Sequence, residues 1–127
     1  ILDDAEKFKL DSKFDCITGS YLPKYCDPEI LVKNCVAHLK PGGKIIFHDF
    51  TYPKNPVVRG LWNLFLTLLR LVGCFIPSWK DALIGLPKLI RNTEWLDRYS
   101  DVMKKSGLNI SSQCLTYGAT AILTGTK

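Results

Sequence analysis

The chain is poor in the patterns that mark a metal site, a disulfide framework, a nucleic-acid tail or a membrane span. Its five cysteines, Cys16, Cys26, Cys35, Cys74 and Cys114, form no CxxC pair, and neither histidine stands at metal-ligand spacing from them. That excludes a zinc ribbon and predicts no metal site. An odd count, set in apolar stretches such as Asp15-Cys16-Ile17, fits free, buried, reduced thiols in a cytoplasmic protein. No block of like charge occurs. The 17 Lys and Arg and 12 Asp and Glu are spread along all 127 residues, so the formal charge of +5 reads as a solvated surface and predicts no nucleic-acid partner. No apolar run approaches the ~20 residues that a bilayer core requires, because Arg59, Asn63, Arg70 and Gly73 interrupt the stretch Val57–Ile76. No charged-then-apolar leader opens the chain, which begins Ile1-Leu2-Asp3-Asp4, and the expectation is that the natural N-terminus lies upstream.

What is present is the balance of one globular unit over 1–127, with 46% apolar and 23% charged residues. Phe14-Asp15-Cys16-Ile17-Thr18-Gly19 reads as a buried strand closed by glycine. Asp27-Pro28-Glu29 supplies a cap, a proline at the first helical position and an early acid; Ile30, Leu31, Cys35, Val36 and Leu39 then recur at helical spacing. After Pro41-Gly42-Gly43, the run Lys44–Phe50 reads as a central parallel strand. Strand, helix and strand make a right-handed βαβ unit, whose ligands gather beyond the carboxyl ends, near Gly19-Ser20 and Asp49.

The stretch from Val57 to Ile76 is apolar on nearly every helical face. Three roles suit it: a buried or substrate-covering helix, a subunit interface, or a membrane-contacting helix. Asn92-Thr93-Glu94-Trp95 opens a further helix, with Lys104 and Lys105 in its last turn and Gly107 beyond it. Asn109–Tyr117 and Thr120–Thr126, separated by a turn centred on Gly118, predict a closing antiparallel hairpin.

Asp4-Ala5-Glu6, Phe14-Asp15-Cys16-Ile17, Asp27-Pro28 and Leu39-Lys40-Pro41-Gly42-Gly43 follow one another in an order and spacing that resembles a class I S-adenosylmethionine-dependent methyltransferase from the end of its third strand onward. The segment Asp49–Pro56 and the tail Leu115–Lys127 are similar to the ubiquinone/menaquinone biosynthesis C-methyltransferases. The resemblance is weakest from Leu61 to Arg91, so 58–91 is expected to be a variable helical segment over the substrate.

The resemblance implies an α/β fold, the C-terminal half of a Rossmann-like methyltransferase sheet with strands in the order 4-5-7-6, the last antiparallel, and flanking helices. It implies S-adenosylmethionine as cofactor, with Asp4 and Ala5 at the adenine and Gly19 and Ser20 at the methionine end. It also implies that the glycine-rich turn and the acid that hold the rest of the cofactor lie upstream. Pro41-Gly42-Gly43 cannot replace that turn, because it precedes a strand instead of opening a helix.

Methyl transfer is an in-line displacement, so the protein aligns donor and acceptor and removes at most one proton. His48 and Asp49 are the catalytic candidates; Tyr21, Lys24, Tyr52 and Trp62 are the candidates for binding an apolar, quinol-like small molecule. The family's Arg-Asn pair after its fourth strand is not matched. Lys24 in Leu22-Pro23-Lys24-Tyr25 stands nearest the Arg and nothing matches the Asn, which leaves another apolar acceptor open. The competing readings are a non-catalytic half-domain that forms a homodimer through its strand edge, and a protein in transient membrane contact through its Leu-rich helix.

Overall fold

The computed structural model describes residues 3–73, 75–92 and 94–127, the side chains of 77–84 excepted. The elements run β1 (Phe14–Ser20), α1 (Pro28–Ala37), β2 (Leu39–Phe50), α2 (Pro56–Gly73), α3 (Pro77–Asn92), α4 (Trp95–Lys105), β3 (Asn109–Leu115) and β4 (Thr120–Thr126). The sheet order is β1-β2-β4-β3. β1 pairs parallel to β2, and β4 runs antiparallel to both of its neighbours. This is the 4-5-7-6 half-sheet that the resemblance implies.

Local chemistry accounts for most of the boundaries. The Asp27 carboxylate accepts the backbone N–H groups of Glu29 at 2.9 Å and Ile30 at 3.2 Å, which starts α1 one residue later, at Pro28. Lys127 donates to the carbonyls of Val36, in the last turn of α1, and Leu39, at the start of β2, at 2.8 and 3.3 Å, which ties the residue after β4 to that junction. α4 presents Trp95, Tyr99 and Met103, three buried residues at intervals of four, and ends before Gly107 at φ +78°. Thr93, part of the expected opening of that helix, lies outside the described residues. The hairpin turns through Thr116, Tyr117 and Gly118, all at positive φ.

β2 begins at Leu39, five residues before the expected Lys44, because Leu39-Lys40-Pro41-Gly42-Gly43 joins the sheet as an irregularity rather than standing apart as a turn. Pairing passes from Phe14↔Leu39 directly to Cys16↔Lys44. Gly42 sits at φ +76°, and a Cβ on Gly43 would lie 2.9 Å from the Lys40 carbonyl oxygen and 3.1 Å from that of Phe14. Two glycines are needed there for two different reasons, backbone conformation and close approach.

The core lies on one face. Leu31, Val32 and Cys35 of α1 and Trp95, Tyr99 and Met103 of α4 close over Ile45, Phe47, Ala121 and Leu123. With a side-chain period of two, the other face carries Cys16, Thr18 and Ser20 of β1, Ile46, His48 and Phe50 of β2, and Ser111 and Gln113 of β3. The β1 and β3 residues among these are exposed. The expected burial of the thiols therefore holds for Cys35 but not for Cys16 or Cys114, which are exposed on the two outer strands; Cys74 lies outside the described residues.

His38 serves the frame. Its Nε2 accepts the Leu10 N–H at 3.2 Å, which assigns the proton to Nδ1, 2.8 Å from the Asn34 carbonyl oxygen. The leading segment is thereby tied to α1.

Candidate functional site at the carboxyl ends of the first two strands

β1 ends in a sharp reversal. Tyr21 adopts φ 59°, an uncommon left-handed conformation for a bulky residue, and its N–H bonds the His48 carbonyl at 2.8 Å. The chain then makes a short 3-10 turn, Pro23–Tyr25. From this turn the Lys24 ammonium reaches the Asp49 carboxylate at 2.6 Å, and the pair is almost wholly buried, with side chains 2% and 0% exposed. The same ammonium donates to the Tyr21 carbonyl at 3.1 Å. It lies 4.8 Å from the Tyr25 ring centre, 5.4 Å from that of Tyr21 and 5.7 Å from that of Phe50. Asp49 also accepts the Phe50 N–H at 2.7 Å. One ion pair thus clamps the loop after β1 to the end of β2 from the helix-covered side.

Aromatic rings line the opposite side of the same strand ends. Tyr21 stands edge-on to His48 at 5.3 Å and tilted to Phe50 at 5.1 Å. Phe50 meets Trp62 of α2 at 5.5 Å, and Trp62 stacks on Phe65 at 5.7 Å. Asn63 donates to the Tyr52 hydroxyl at 3.3 Å and accepts from Arg91 of α3 at 2.7 Å, which joins the helix pair to the loop after β2. The Trp62 indole N–H is buried and has no hydrogen-bond partner among the described residues. A buried donor without an acceptor is costly in a purely structural role and suits an oxygen brought by a ligand.

His48 and Asp49, adjacent in sequence, therefore point to opposite faces: His48 to the ring-lined side, Asp49 into the closed ion pair. Lys24 lies in that pair, while Tyr21, Tyr52 and Trp62 belong to the ring-lined side. Ser20 is exposed beside His48 in the register. Gly19 faces the core, where an added Cβ would sit 3.1 Å from the Phe47 ring, so packing alone accounts for glycine there.

Asp4 lies apart in the leading turn, half exposed. It accepts the Glu6 N–H at 3.0 Å and pairs with Lys7 at 3.2 Å; these two contacts, the first foremost, hold its carboxyl below the usual range. Ala5 packs against the core beside it. A carboxylate with spare lone pairs suits an adenine amine, and Ser20 and Tyr21 suit a methionine end. The residues present thus fit the edges of S-adenosylmethionine, while nothing among the described residues opens a helix with a glycine-rich turn.

Two residues that the sequence reading did not single out hold the site. The Trp95 indole donates to the Phe50 carbonyl at 2.7 Å, and the Tyr99 hydroxyl lies 3.1 and 3.3 Å from the carbonyls of Pro23 and Cys26. Burial, with Cys26, Asp27 and Glu6 nearby, pushes the Tyr99 phenol well above its ordinary pKa, which keeps it a donor. Aromatics four residues apart at the start of a helix were the available signal. Together they pin both strand-end loops to α4.

The half-sheet, with its loops gathered at the carboxyl ends, is an α/β methyltransferase architecture. Two solved structures share the fold: an O-methyltransferase family protein from Burkholderia thailandensis (TM-score 0.54, 17% identity, 98% of this chain and 33% of that one) and a protein described as a possible exported protein from Bordetella parapertussis (TM-score 0.61, 15% identity, 98% and 42%). The ubiE/COQ5 methyltransferase family model matches residues 2–127, and the chain belongs to that family. Among curated relatives, the ubiquinone/menaquinone biosynthesis C-methyltransferase of Hahella chejuensis is 26% identical over 120 residues and that of Saccharophagus degradans 28% over 120. Each match takes in 92% of this chain and 48% of the relative. The chain spans about half the length of the curated relatives it matches.

Proposed function

We propose that this chain is the acceptor-side half of an S-adenosylmethionine-dependent methyltransferase that methylates an apolar, quinol-like small molecule. The observation that carries the reading is the ring-lined strand end, where His48, Tyr21, Phe50 and Trp62 follow one another in contact and the buried Trp62 indole N–H has no acceptor among the described residues. An aromatic acceptor would stack on these rings and offer an oxygen to Trp62.

The cofactor supplies an electrophilic methyl group on a sulfonium. The chain's own residues do the rest. Asp4 and Ala5 border the adenine, and Ser20 and Tyr21 border the methionine end. His48, on the ring-lined side, takes the acceptor's proton. Asp49 acts from beneath, holding Lys24 so that the Tyr21 and Phe50 rings keep their places, and Tyr52 and Asn63 fix α2 above them. The segment 58–91 serves as the cover over the acceptor. An acceptor of this kind partitions into bilayers, so a cytoplasmic location and transient membrane contact belong to the same reading.

Among the described residues the outer edge of β1 has no sheet partner, which supports the half-domain part of the reading. An apolar groove of about 310 Å³ lined by Phe8, Phe14 and Cys16 runs along it, where the family's sheet order places a further strand. The same edge favours a second reading, a homodimer paired through β1. A clean monomer by light scattering would remove that reading.

The test is methyl transfer in a polypeptide that joins this segment to a cofactor-binding half, with a short-chain demethylated quinol as acceptor. The expected product is one methyl heavier by mass spectrometry, and Trp62→Phe should raise the KM for the acceptor by about tenfold, the worth of one hydrogen bond. No methylated product with the quinol, alongside normal cofactor binding, would overturn the acceptor assignment.

A further inference from the structure

We propose that the outward face of α2 docks in the plane of an anionic lipid surface. α2 carries three kinds of surface. Val58, Trp62, Leu66 and Leu69 face inward, buried or half-buried, with Trp62 against Phe50. Arg59, Asn63, Thr67 and Arg70 follow at steps of three and four as a polar stripe. Val57, Leu61, Leu64, Leu68, Leu71 and, just past the helix, Phe75 form a third stripe along the far side, 53–87% exposed. The expected buried or substrate-covering role accounts only for the inward face, since among the described residues of α2 only Leu66 and Gly73 are fully buried.

Charge identifies the occupant. Residues 54–92 hold six basic residues, Lys54, Arg59, Arg70, Lys80, Lys88 and Arg91, against one acid, Asp81; the remainder of the chain carries eleven of each sign. The whole formal charge of +5 therefore resides in the segment that presents the apolar stripe. The three ion pairs among the described residues all lie outside it. Lys54, Arg59, Arg70, Lys88 and Arg91 are exposed. An apolar stripe flanked by cations matches acyl chains beneath anionic headgroups. A second copy meets this face poorly, because it would bring the same +5 segment against itself.

α2 lies in the surface and does not cross it. Against the expectation from its interruptions at Arg59, Asn63, Arg70 and Gly73, its 18 residues and mean hydropathy of 1.2 satisfy the length and composition of a span. A transverse helix would, however, pull Trp62 from Phe50 and Asn63 from Tyr52 and Arg91, and would carry Arg59 and Arg70 into hydrocarbon.

The proposal does not depend on the methyl-transfer reading, because lipid binding is read without donor or acceptor. The experiment is flotation of the chain with vesicles of phosphatidylcholine containing about 30 mol% phosphatidylglycerol, and with pure phosphatidylcholine vesicles. The expected result is flotation with the anionic vesicles, at least about tenfold weaker with neutral ones and similarly weakened on raising salt from about 0.1 to about 0.5 M. L64E/L68E, at exposed positions, should keep the helical circular dichroism and thermal midpoint while losing vesicle binding; R59Q/R70Q/K88Q should lose only the preference for anionic lipid. Absence of flotation, unchanged flotation of L64E/L68E, or equal binding to both vesicle types would overturn the proposal. So would a lipid-free oligomer that L64E/L68E dissociates, since the stripe would then be an interface between copies.

Discussion

Replacing Lys24 by Met removes the ammonium 2.6 Å from Asp49 and leaves a carboxylate that has no exposed surface. What remains to that carboxylate is the Phe50 N–H at 2.7 Å and the Lys24 backbone N–H at a long 3.4 Å. Breaking a buried pair from one side costs about 3–5 kcal/mol. That is a large share of the roughly 5–15 kcal/mol that holds a domain together. Asp49→Asn should cost less, about 2–3 kcal/mol, because the stranded ammonium keeps the Tyr21 carbonyl at 3.1 Å and three ring faces. The double variant Lys24→Met/Asp49→Asn buries no charge and should be more stable than the sum of the single effects by at least about 2 kcal/mol. Urea titrations followed by tryptophan fluorescence, with Trp95 buried beside the clamp, give all three values by linear extrapolation. If the single losses add to within about 0.5 kcal/mol, or if Lys24→Met costs under about 1 kcal/mol as an exposed pair would, the clamp is not what holds the two loops together.

Gly43→Ala should destabilise by about 1–3 kcal/mol, since its methyl would press on two backbone carbonyls that cannot swing away; a thermal midpoint within a degree of the parent would contradict this. Brief iodoacetamide treatment of the native chain should label Cys16 and Cys114 first and leave Cys35 unmodified until the protein unfolds, as read by peptide mass mapping. Burial, with a smaller effect of Cys26, pushes the Cys35 thiol up to about 12 from its ordinary 9.0. Its neutral form is therefore favoured in the fold, the stabilisation is complete below pH 9, and it is lost as pH rises from 9 towards 12. Urea midpoints across that range should fall, and Cys35→Ala should flatten the decline; an equal decline in the variant would assign the effect to Tyr99, whose pKa is raised by burial as well.

The elements legible in the sequence were those set by short-range chemistry. Asp27-Pro28 starts a helix because a carboxylate caps free N–H groups, and Lys44–Phe50 is a strand rich in β-branched and aromatic residues that buries Ile45, Phe47 and Asp49 on one face. Gly118 turns the last hairpin, and the family motifs supplied the strand order. The start of β2 was misplaced because a proline-glycine sequence reads as a turn whether or not a neighbouring strand captures it, and the capture depends on Phe14 and Lys127, each far along the chain.

The candidate site was located by the rule that ligands gather at strand ends, and the residues named there do lie at one end of β1 and β2, Asp4 and Ala5 excepted. Their division was settled only by the tertiary structure. A strand's period of two sends His48 and Asp49 to opposite faces, but which face is covered depends on where α1 and α4 pack. The Lys24–Asp49 pair joins residues 25 apart, and the hydrogen bonds from Trp95 and Tyr99 to the strand-end loops reach across 45 or more, so no local pattern announces them. The same limit governs α2 and the outer cysteines. Hydrophobicity in a sequence measures a residue's preference to leave water, whereas burial requires a neighbour to cover it, and only the packed chain decides where that neighbour is.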